Sequence, residues 1–269
     1  MCSTVTWSAH SVSGKRKKTN DDAWLVFSVD ANKATRLTDQ GTHSLTDSDL
    51  VLAVSDGMGG GQAGDLASRL LLTQLSQIIP KTIKQAASGF HPDYLEQLEH
   101  ALNNIHQSIN HHGEQDPSLK GMAATITLAW ITPENLYIGH VGDTRLYAHR
   151  NKITTQLTED HNTIWKKFNK GELSEIRYRL HPKRSILNEV VGGGHWKIRP
   201  NLLSYPYSKG DRFMLCSDGV IDGLTEKKIH LQLSQNSDST KTTLDSLLFQ
   251  ANDNDDKDDT TCIVFDISD

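Results

Sequence analysis

The chain has 269 residues, 36% of them hydrophobic and 23% charged, and carries a formal net charge of −5. Such a length suits one large sandwich or barrel, and the composition is that of a soluble globular protein. The negative balance excludes a general attraction to nucleic acid or anionic membrane, and no apolar run reaches bilayer-spanning length. The three cysteines, Cys2, Cys216 and Cys262, match no zinc spacing. Cys216 and Cys262 lie in apolar runs and read as small core residues. The opening MCSTVTWSAHSV lacks the charged-then-apolar pattern of a signal peptide, so the cytoplasm is the expected compartment.

Apolar and alternating patterns predict strands over 5–12 and 23–29, joined by a polar turn holding Lys15, Arg16, Lys17 and Lys18. Residues 30–49 show no sustained period and read as a loop or hairpin excursion. VLAVS (51–55) is a short apolar run closed by a turn signal, the pattern of a buried strand. Leucines and isoleucines recur at helical spacing over 62–79, ahead of Pro80, and a second apolar helical face runs over 92–111. Strands follow over 123–131, 135–140 and 145–150, with turns at Pro133-Glu134-Asn135 and Gly142-Asp143. Residues 159–190 are polar and helical in pieces. FMLCS (213–217) is another buried strand, 225–250 hold two helices, 253–259 form a turn, and TTCIVFDIS (260–268) is a last strand. Neither a repeat nor a long linker divides the chain. Strands grouped in runs, with two long helices together, predict an α+β fold with antiparallel sheets.

The carboxylates fall where strands end. Asp21 and Asp22 precede AWLVF, Asp56 follows VLAVS, Asp143 follows LYIGHVG, Asp218 follows FMLCS, and Asp258 and Asp259 precede TTCIVF. Asp-Gly is a common turn dipeptide, and for any one aspartate the turn reading is the better one. Taken together, carboxylates gathered at neighbouring strand ends repel one another unless a cation joins them. Oxygen-only ligands favour Mg²⁺ or Mn²⁺ over zinc. The glycine-rich stretch DGMGGGQAGDLAS (56–68) is not a P-loop, because no Gly-Lys-Ser/Thr follows and Asp56 opens it; a dinucleotide fingerprint is missing too.

These motifs resemble, in order and nearly end to end, the metal-dependent Ser/Thr protein phosphatases of the protein phosphatase 2C (PPM) type in their bacterial form. Thr19-Asn20-Asp21-Asp22-Ala23 resembles N-E-D-A, and Asp56-Gly57-Met58-Gly59-Gly60 matches D-G-M-G-G. Gly142-Asp143-Thr144-Arg145 resembles G-D-S-R, and Leu157 to Asn162 resembles L-T-x-D-H-S. Ser217-Asp218-Gly219-Val220 resembles S-D-G-L, and Asp258-Asp259-Thr260-Thr261 resembles D-N-x-T. The resemblance implies a single domain with a four-layer α/β/β/α sandwich and a flap over about 161–190. It implies two Mn²⁺ or Mg²⁺ ions bridged by Asp56, one served by the Gly57 carbonyl with Asp21 and Asp22, the other by Asp218 and Asp258. A third, weaker site lies beside Asp143 and Asp218. It further implies hydrolysis of phosphoserine and phosphothreonine in proteins by a water or hydroxide between the two metals, opposing a Ser/Thr kinase. Asp56 and Asp218 would be catalytic, and no covalent phosphoenzyme is needed.

Several positions depart from the family pattern. Lys17, beside Arg16, stands where an arginine usually grips phosphate; Lys17 or Arg16 takes that role, Lys17 as a point charge. Asp21 is one methylene shorter than the usual Glu, so a metal contact there passes through water. Gly61 replaces a common His, and Asp259 replaces an Asn and competes with Asp258 as ligand. Ala123-Ala124-Thr125 replaces G-T-T, with a structural effect only. His106, His111 and His112 read as surface residues rather than zinc ligands, and His161 as packing at the flap's root. Two other functions stand beside the phosphatase: a pseudophosphatase that binds phosphoproteins without turnover, and a phosphodiesterase. The retained Asp56, Asp218 and Asp258 weigh against the first, and the charge balance against a nucleic acid substrate for the second.

Overall fold

The first and last strands lie side by side. β1 (Thr4–Val12) pairs antiparallel with the C-terminal strand along its whole length, from Thr4 opposite Ser268 to Val12 opposite Thr260. The computed structural model describes residues 3–15, 17–59, 62–87, 93–235 and 239–269. Arg16 and Gly61 therefore lie outside the described residues.

In chain order, β1 is followed by β2 (Asp22–Val29), β3 (Ala34–Arg36), β4 (Gln40–Ser44) and β5 (Asp49–Met58). Helices α1 (Ala63–Ala87) and α2 (Tyr94–Gln115) come next, then β6 (Ala123–Ala124), β7 (Ile126–Ile131), β8 (Leu136–Val141), β9 (Arg145–Arg150) and β10 (Ile153–Gln156). The short helices α3 (Trp165–Asn169) and α4 (Glu175–Arg179) precede β11 (Val191–Gly192), β12 (Asn201–Tyr205) and β13 (Arg212–Cys216). The chain closes with α5 (Asp218–Gly223), α6 (Glu226–Leu233), α7 (Thr240–Asn254) and β14 (Thr260–Ser268).

One sheet runs β10-β9-β13-β14-β1-β4. In the other, β5 is central, with β2 on one side and β6, β7 on the other. β6 and β7 keep one register against β5 and are interrupted only at Thr125, as the continuous strand 123–131 predicted. Three apolar cores separate four layers. Leu71, Leu75, Leu98 and Leu102 pack α1 and α2 onto Phe27, Val51 and Leu128. Leu50, Leu52, Phe213 and Phe265 fill the space between the sheets. Leu244, Leu247 and Leu248 of α7 close the far side over Met214 and Val264. The α+β sandwich expected from the sequence is the observed architecture.

Some elements differ from expectation. α1 runs through Pro80 to Ala87 instead of ending at Ile79. Pro80 lacks the N–H that would pair one turn back, yet it is buried, and packing of the helix face outweighs that single bond. The polar stretches holding β3, β4, β10 and β12 form edge strands, whose half-exposed residues give no clear alternation. His106 is buried rather than on the surface, with Nε2 2.9 Å from the His195 carbonyl and Nδ1 accepting from Gly192 N–H at 3.0 Å. Its helical face, not its polarity, decides its place; His111 and His112 are exposed. Cys216 and Cys262 face each other across β13 and β14, fully buried and unbridged.

Residues 161–190 leave both sheets. They carry α3 and α4, packed on each other through Ile164, Trp165 and Tyr178, and are tied at the root by a bridge between Asn162 and Leu187.

Candidate metal centre

The carboxylates meet at one end of the sandwich because strands of both sheets end there. Asp22 opens β2 directly opposite Asp56 on β5. Ser217, which ends the run after β13, donates its hydroxyl to Asp22 Oδ2 at 2.6 Å and accepts Thr261 N–H at 3.0 Å. One serine thus joins the two sheets beneath the carboxylates. Asn20 braces the turn, with its Oδ1 accepting Asp22 N–H at 3.0 Å and its Nδ2 donating to Ser11 Oγ at 2.8 Å.

Asp56 sits at a distortion in the sheet. Opposite it, Thr125 donates its N–H to the Asp56 carbonyl at 2.8 Å, while Asp56 N–H turns to the Thr125 hydroxyl at 3.0 Å. The Thr125 carbonyl accepts instead from Ser55 Oγ at 2.7 Å. The threonine side chain substitutes for a ladder bond and fixes the Asp56 backbone. Next in line, Gly57 donates to the Asp21 carbonyl at 3.0 Å. A Cβ on Gly57 would fall 2.0 Å from the Gly64 carbonyl oxygen, so the glycine-rich stretch is built for close backbone approach and only glycine fits there.

The charges crowd. Burial raises the Asp56 carboxyl well above its usual range, and Asp22, Asp218, Asp143 and Asp258 push it further. Asp218 is raised by burial, then by Asp143, Asp258 and Asp222, against the pull of Arg184. Burial pushes Asp22 up to about 7 despite the Ser217 hydrogen bond. Burial and Asp160 push Asp143 up to about 7, opposed by Arg184 and Arg145. These four groups and Asp258 therefore share one field. Among the described residues, no three His, Cys, Asp or Glu side chains converge into a ready-made cage for an ion. The donor set is nevertheless all oxygen and dominated by carboxylates, which is the chemistry of a hard divalent cation rather than zinc.

Positive charge reaches the cluster from two directions. Lys17 Nζ lies 2.6 Å from Asp258 Oδ1, 3.4 Å from Asp259 Oδ2 and 3.7 Å from Asp21 Oδ2. Asp259, expected as a competing ligand, has a fully buried side chain that accepts Gly14 N–H at 2.9 Å and Asp21 N–H at 2.8 Å. Both its oxygens are engaged by the backbone of the loop that carries Lys17. From the segment after α4, Arg184 forms an ion pair with Asp222, one helical turn past Asp218, and its buried Nε has no partner among the described residues. Arg184 and Asp222 carry no motif in the sequence; a lone Arg in a polar segment and an Asp in a short helix give no signal to read.

The two remaining motifs form a brace behind the centre. Arg145 grips buried Asp160 with Nε and Nη2 at 2.8 and 2.7 Å, and its Nη1 donates to Tyr147 OH and Glu226. Tyr178 of α4 donates to Asp160 Oδ2 at 2.6 Å. His161 accepts Gly142 N–H at 3.2 Å, beside Asp143, and its ring lies tilted at 49° against that of His140, centroids 4.8 Å apart.

The sequence model of the protein phosphatase 2C family matches residues 31–248, and the chain belongs to that family. The serine/threonine protein phosphatase PstP of Mycobacterium tuberculosis is 31% identical over 179 residues, 66% of this chain and 33% of the relative. This chain thus spans about a third of the length of that relative. The serine/threonine phosphatase Stp of Listeria monocytogenes is 30% identical over 187 residues, covering 68% of this chain and 71% of the relative. The catalytic domain of PstP solved with two manganese ions superposes with a TM-score of 0.75 at 25% identity, over 99% of this chain and 100% of that one. The enzyme class read from the sequence, protein-serine/threonine phosphatase, is the class these relatives carry. Among the described residues, no helix is long and apolar enough to cross a membrane.

Proposed function

We propose that this protein hydrolyses phosphoserine and phosphothreonine in proteins with the help of two divalent cations, Mn²⁺ or Mg²⁺, as a single domain with its flap over about 161–190. The observation that carries the reading is the gathering of carboxylates at one end of the sandwich, where Asp22 lies opposite Asp56 and Ser217, beside Asp218, ties Asp22 to Thr261 of the other sheet. Asp56 would bridge the ions, with the Gly57 carbonyl, Asp21 and Asp22 on one side and Asp218 and Asp258 on the other. Asp143 beside Asp218 would hold a third, weaker site. When bound, the cations acidify a water and neutralise phosphoryl charge.

The chain's own residues supply the rest. Ser217 and Thr125 fix Asp22 and Asp56, so the carboxylates are aimed before substrate arrives. Lys17, held positive by Asp258, presents the ammonium that would meet a phosphoryl oxygen at the rim. Arg16 is the second candidate for that contact. Among the described residues no thiol nucleophile is available: burial drives the Cys216 and Cys262 thiols well above their usual range. A phosphoprotein made by a Ser/Thr kinase is the matching substrate, so the protein would oppose such a kinase, in the cytoplasm and without nucleic acid or membrane.

The test is release of phosphate from a phosphothreonine peptide with and without Mn²⁺, beside the Asp218→Asn variant. Turnover that needs Mn²⁺ and drops at least ~100-fold in the variant is expected. No turnover at saturating Mn²⁺ sinks the reading, and turnover indifferent to Asp218→Asn sinks the ligand assignment.

A further inference from the structure

A cavity of about 700 Å³ meets the carboxylates only at Asp22 and runs along the open edge of β2. Asn20 and Asp22 form its end nearest the centre, Arg36 on β3 its far end, and Arg69 and Leu72 of α1 its floor. The volume is that of a ligand site.

The edge is unpaired where it borders the cavity. β3 covers β2 only from Val29 to Phe27. Beyond that, Leu37 N–H donates to the Val26 carbonyl at 2.8 Å, on the side away from β5. Backbone groups alternate along a strand. Trp24, two residues on, therefore turns its N–H and C=O to the same open side, and no described residue pairs with them. Asp22 N–H is already taken by Asn20, which ends the open stretch at the metal centre. An unpaired edge of this kind is a template for another strand.

The charges along the cavity are uneven. Arg69 is neutralised by Asp65 within α1, and Asp22 belongs to the centre. Arg36 is exposed and has no ion-pair partner among the described residues. The positive excess therefore sits at the far end of the groove.

We infer that the phosphorylated substrate docks as an extended strand on the Trp24 edge of β2, antiparallel to it, with an acidic side chain N-terminal to the phosphoresidue meeting Arg36. The inference rests on the phosphatase reading and names the recognition that accompanies it. The groove is continuous with the centre through Asp22. β3 already pairs antiparallel on this same edge, and a peptide in that direction approaches the centre with its C-terminal part. From Asp22 to Phe27 the strand spans ~17 Å at ~3.3 Å per residue. After the reach of the phosphorylated side chain, this places the acidic residue about three to five positions before the phosphothreonine.

The experiment compares three phosphothreonine peptides, with Glu at those N-terminal positions, with Glu at the mirror C-terminal positions, and with Ala throughout. Each is assayed with Mn²⁺ on the wild type and on Arg36→Glu, with p-nitrophenyl phosphate as a substrate too small to reach the groove. A kcat/KM preference for the N-terminal Glu peptide on the order of fivefold is expected, matching one exposed ion pair. Arg36→Glu abolishes it and leaves p-nitrophenyl phosphate turnover unchanged. N-methylation of the peptide amides facing Trp24 lowers kcat/KM by about two- to tenfold through lost strand bonds. Equal turnover of the three peptides, or a preference that survives Arg36→Glu, overturns the inference while p-nitrophenyl phosphate hydrolysis leaves the activity standing. Absence of p-nitrophenyl phosphate hydrolysis removes the phosphatase reading and this one with it. A stable dimer at micromolar concentration that Arg36→Glu breaks would assign the edge to a second copy of the chain and overturn the docking of substrate there.

Discussion

The ammonium of Lys17 stands 2.6 Å from Asp258 Oδ1 and is held strongly positive by it. A residue read as a phosphate grip and one read as a metal ligand thus satisfy each other. A cation arriving at Asp258 must displace Lys17, and a freed Lys17 can turn to substrate. Lys17→Ala is expected to tighten Mn²⁺ binding a few-fold, because the pair is partly exposed and screened. It is expected to raise KM for a phosphopeptide. Calorimetric Mn²⁺ titration and peptide kinetics on the same variant check both. Weaker Mn²⁺ binding would show that Lys17 supports the site and does not compete with it.

Asp259 closes the loop from Gly14 to Asp21 with two charge-assisted bonds to backbone amides. An Asn in its place would offer one oxygen, so one amide would lose its partner or meet an NH₂ group. Asp259→Asn is expected to cost about 1–3 kcal/mol in urea unfolding. Hydrogen exchange at the Gly14 or Asp21 amide should accelerate. An unchanged exchange pattern with full stability would refute the clamp.

Arg145 and Asp160 form a forked pair with both side chains almost fully buried. Burial alone would raise the Asp160 carboxyl, but the guanidinium outweighs it and holds it below its usual range. Arg145→Met strands a buried carboxylate and is expected to destabilise by about 3–5 kcal/mol. Arg145→Met with Asp160→Leu removes both charges and should recover much of that loss. Urea denaturation of the two variants decides. If the double variant is no better than the single one, packing and not the stranded charge sets the cost.

His140 is buried, with Nε2 3.0 Å from the Glu159 carbonyl and Nδ1 2.8 Å from the Thr127 hydroxyl. Burial, and then His161, lowers its pKa to about 3. The unfolded chain takes up the proton near 6.5, while the folded chain refuses it until about 3. This contribution to stability is therefore whole above pH ~6.5 and lost progressively as the pH falls toward 3. Between pH 6.5 and 4.5 the unfolding free energy of the wild type should decline more steeply than that of His140→Gln. Parallel pH profiles would remove His140 as the cause.

The fold class was legible because the sandwich's central strands are apolar on both faces: VLAVS, FMLCS and TTCIVF cannot be placed anywhere but inside. Edge strands such as Asn201–Tyr205 were not legible, since their partial exposure hides the alternation. Each carboxylate of the centre sits at a strand end or the turn beside one, which made the cluster visible as a pattern. What the sequence could not show is what each oxygen faces. Asp259 reads like a ligand, yet its oxygens point at backbone amides. Thr125 reads as packing beneath the site, yet its hydroxyl replaces a ladder bond of Asp56. Arg184 comes to the cluster only through the folding of the segment after α4.

The pairing of β1 with β14 also has a bearing on synthesis. Their partners are up to 264 positions apart, and Asp258 lies just before β14. On the ribosome β1 emerges before β14 and waits for it through the making of all the residues between them. Contacts so distant in sequence form slowly and leave a strand edge exposed meanwhile. The carboxylate cluster is therefore incomplete until Asp258 and the strand behind it have been made.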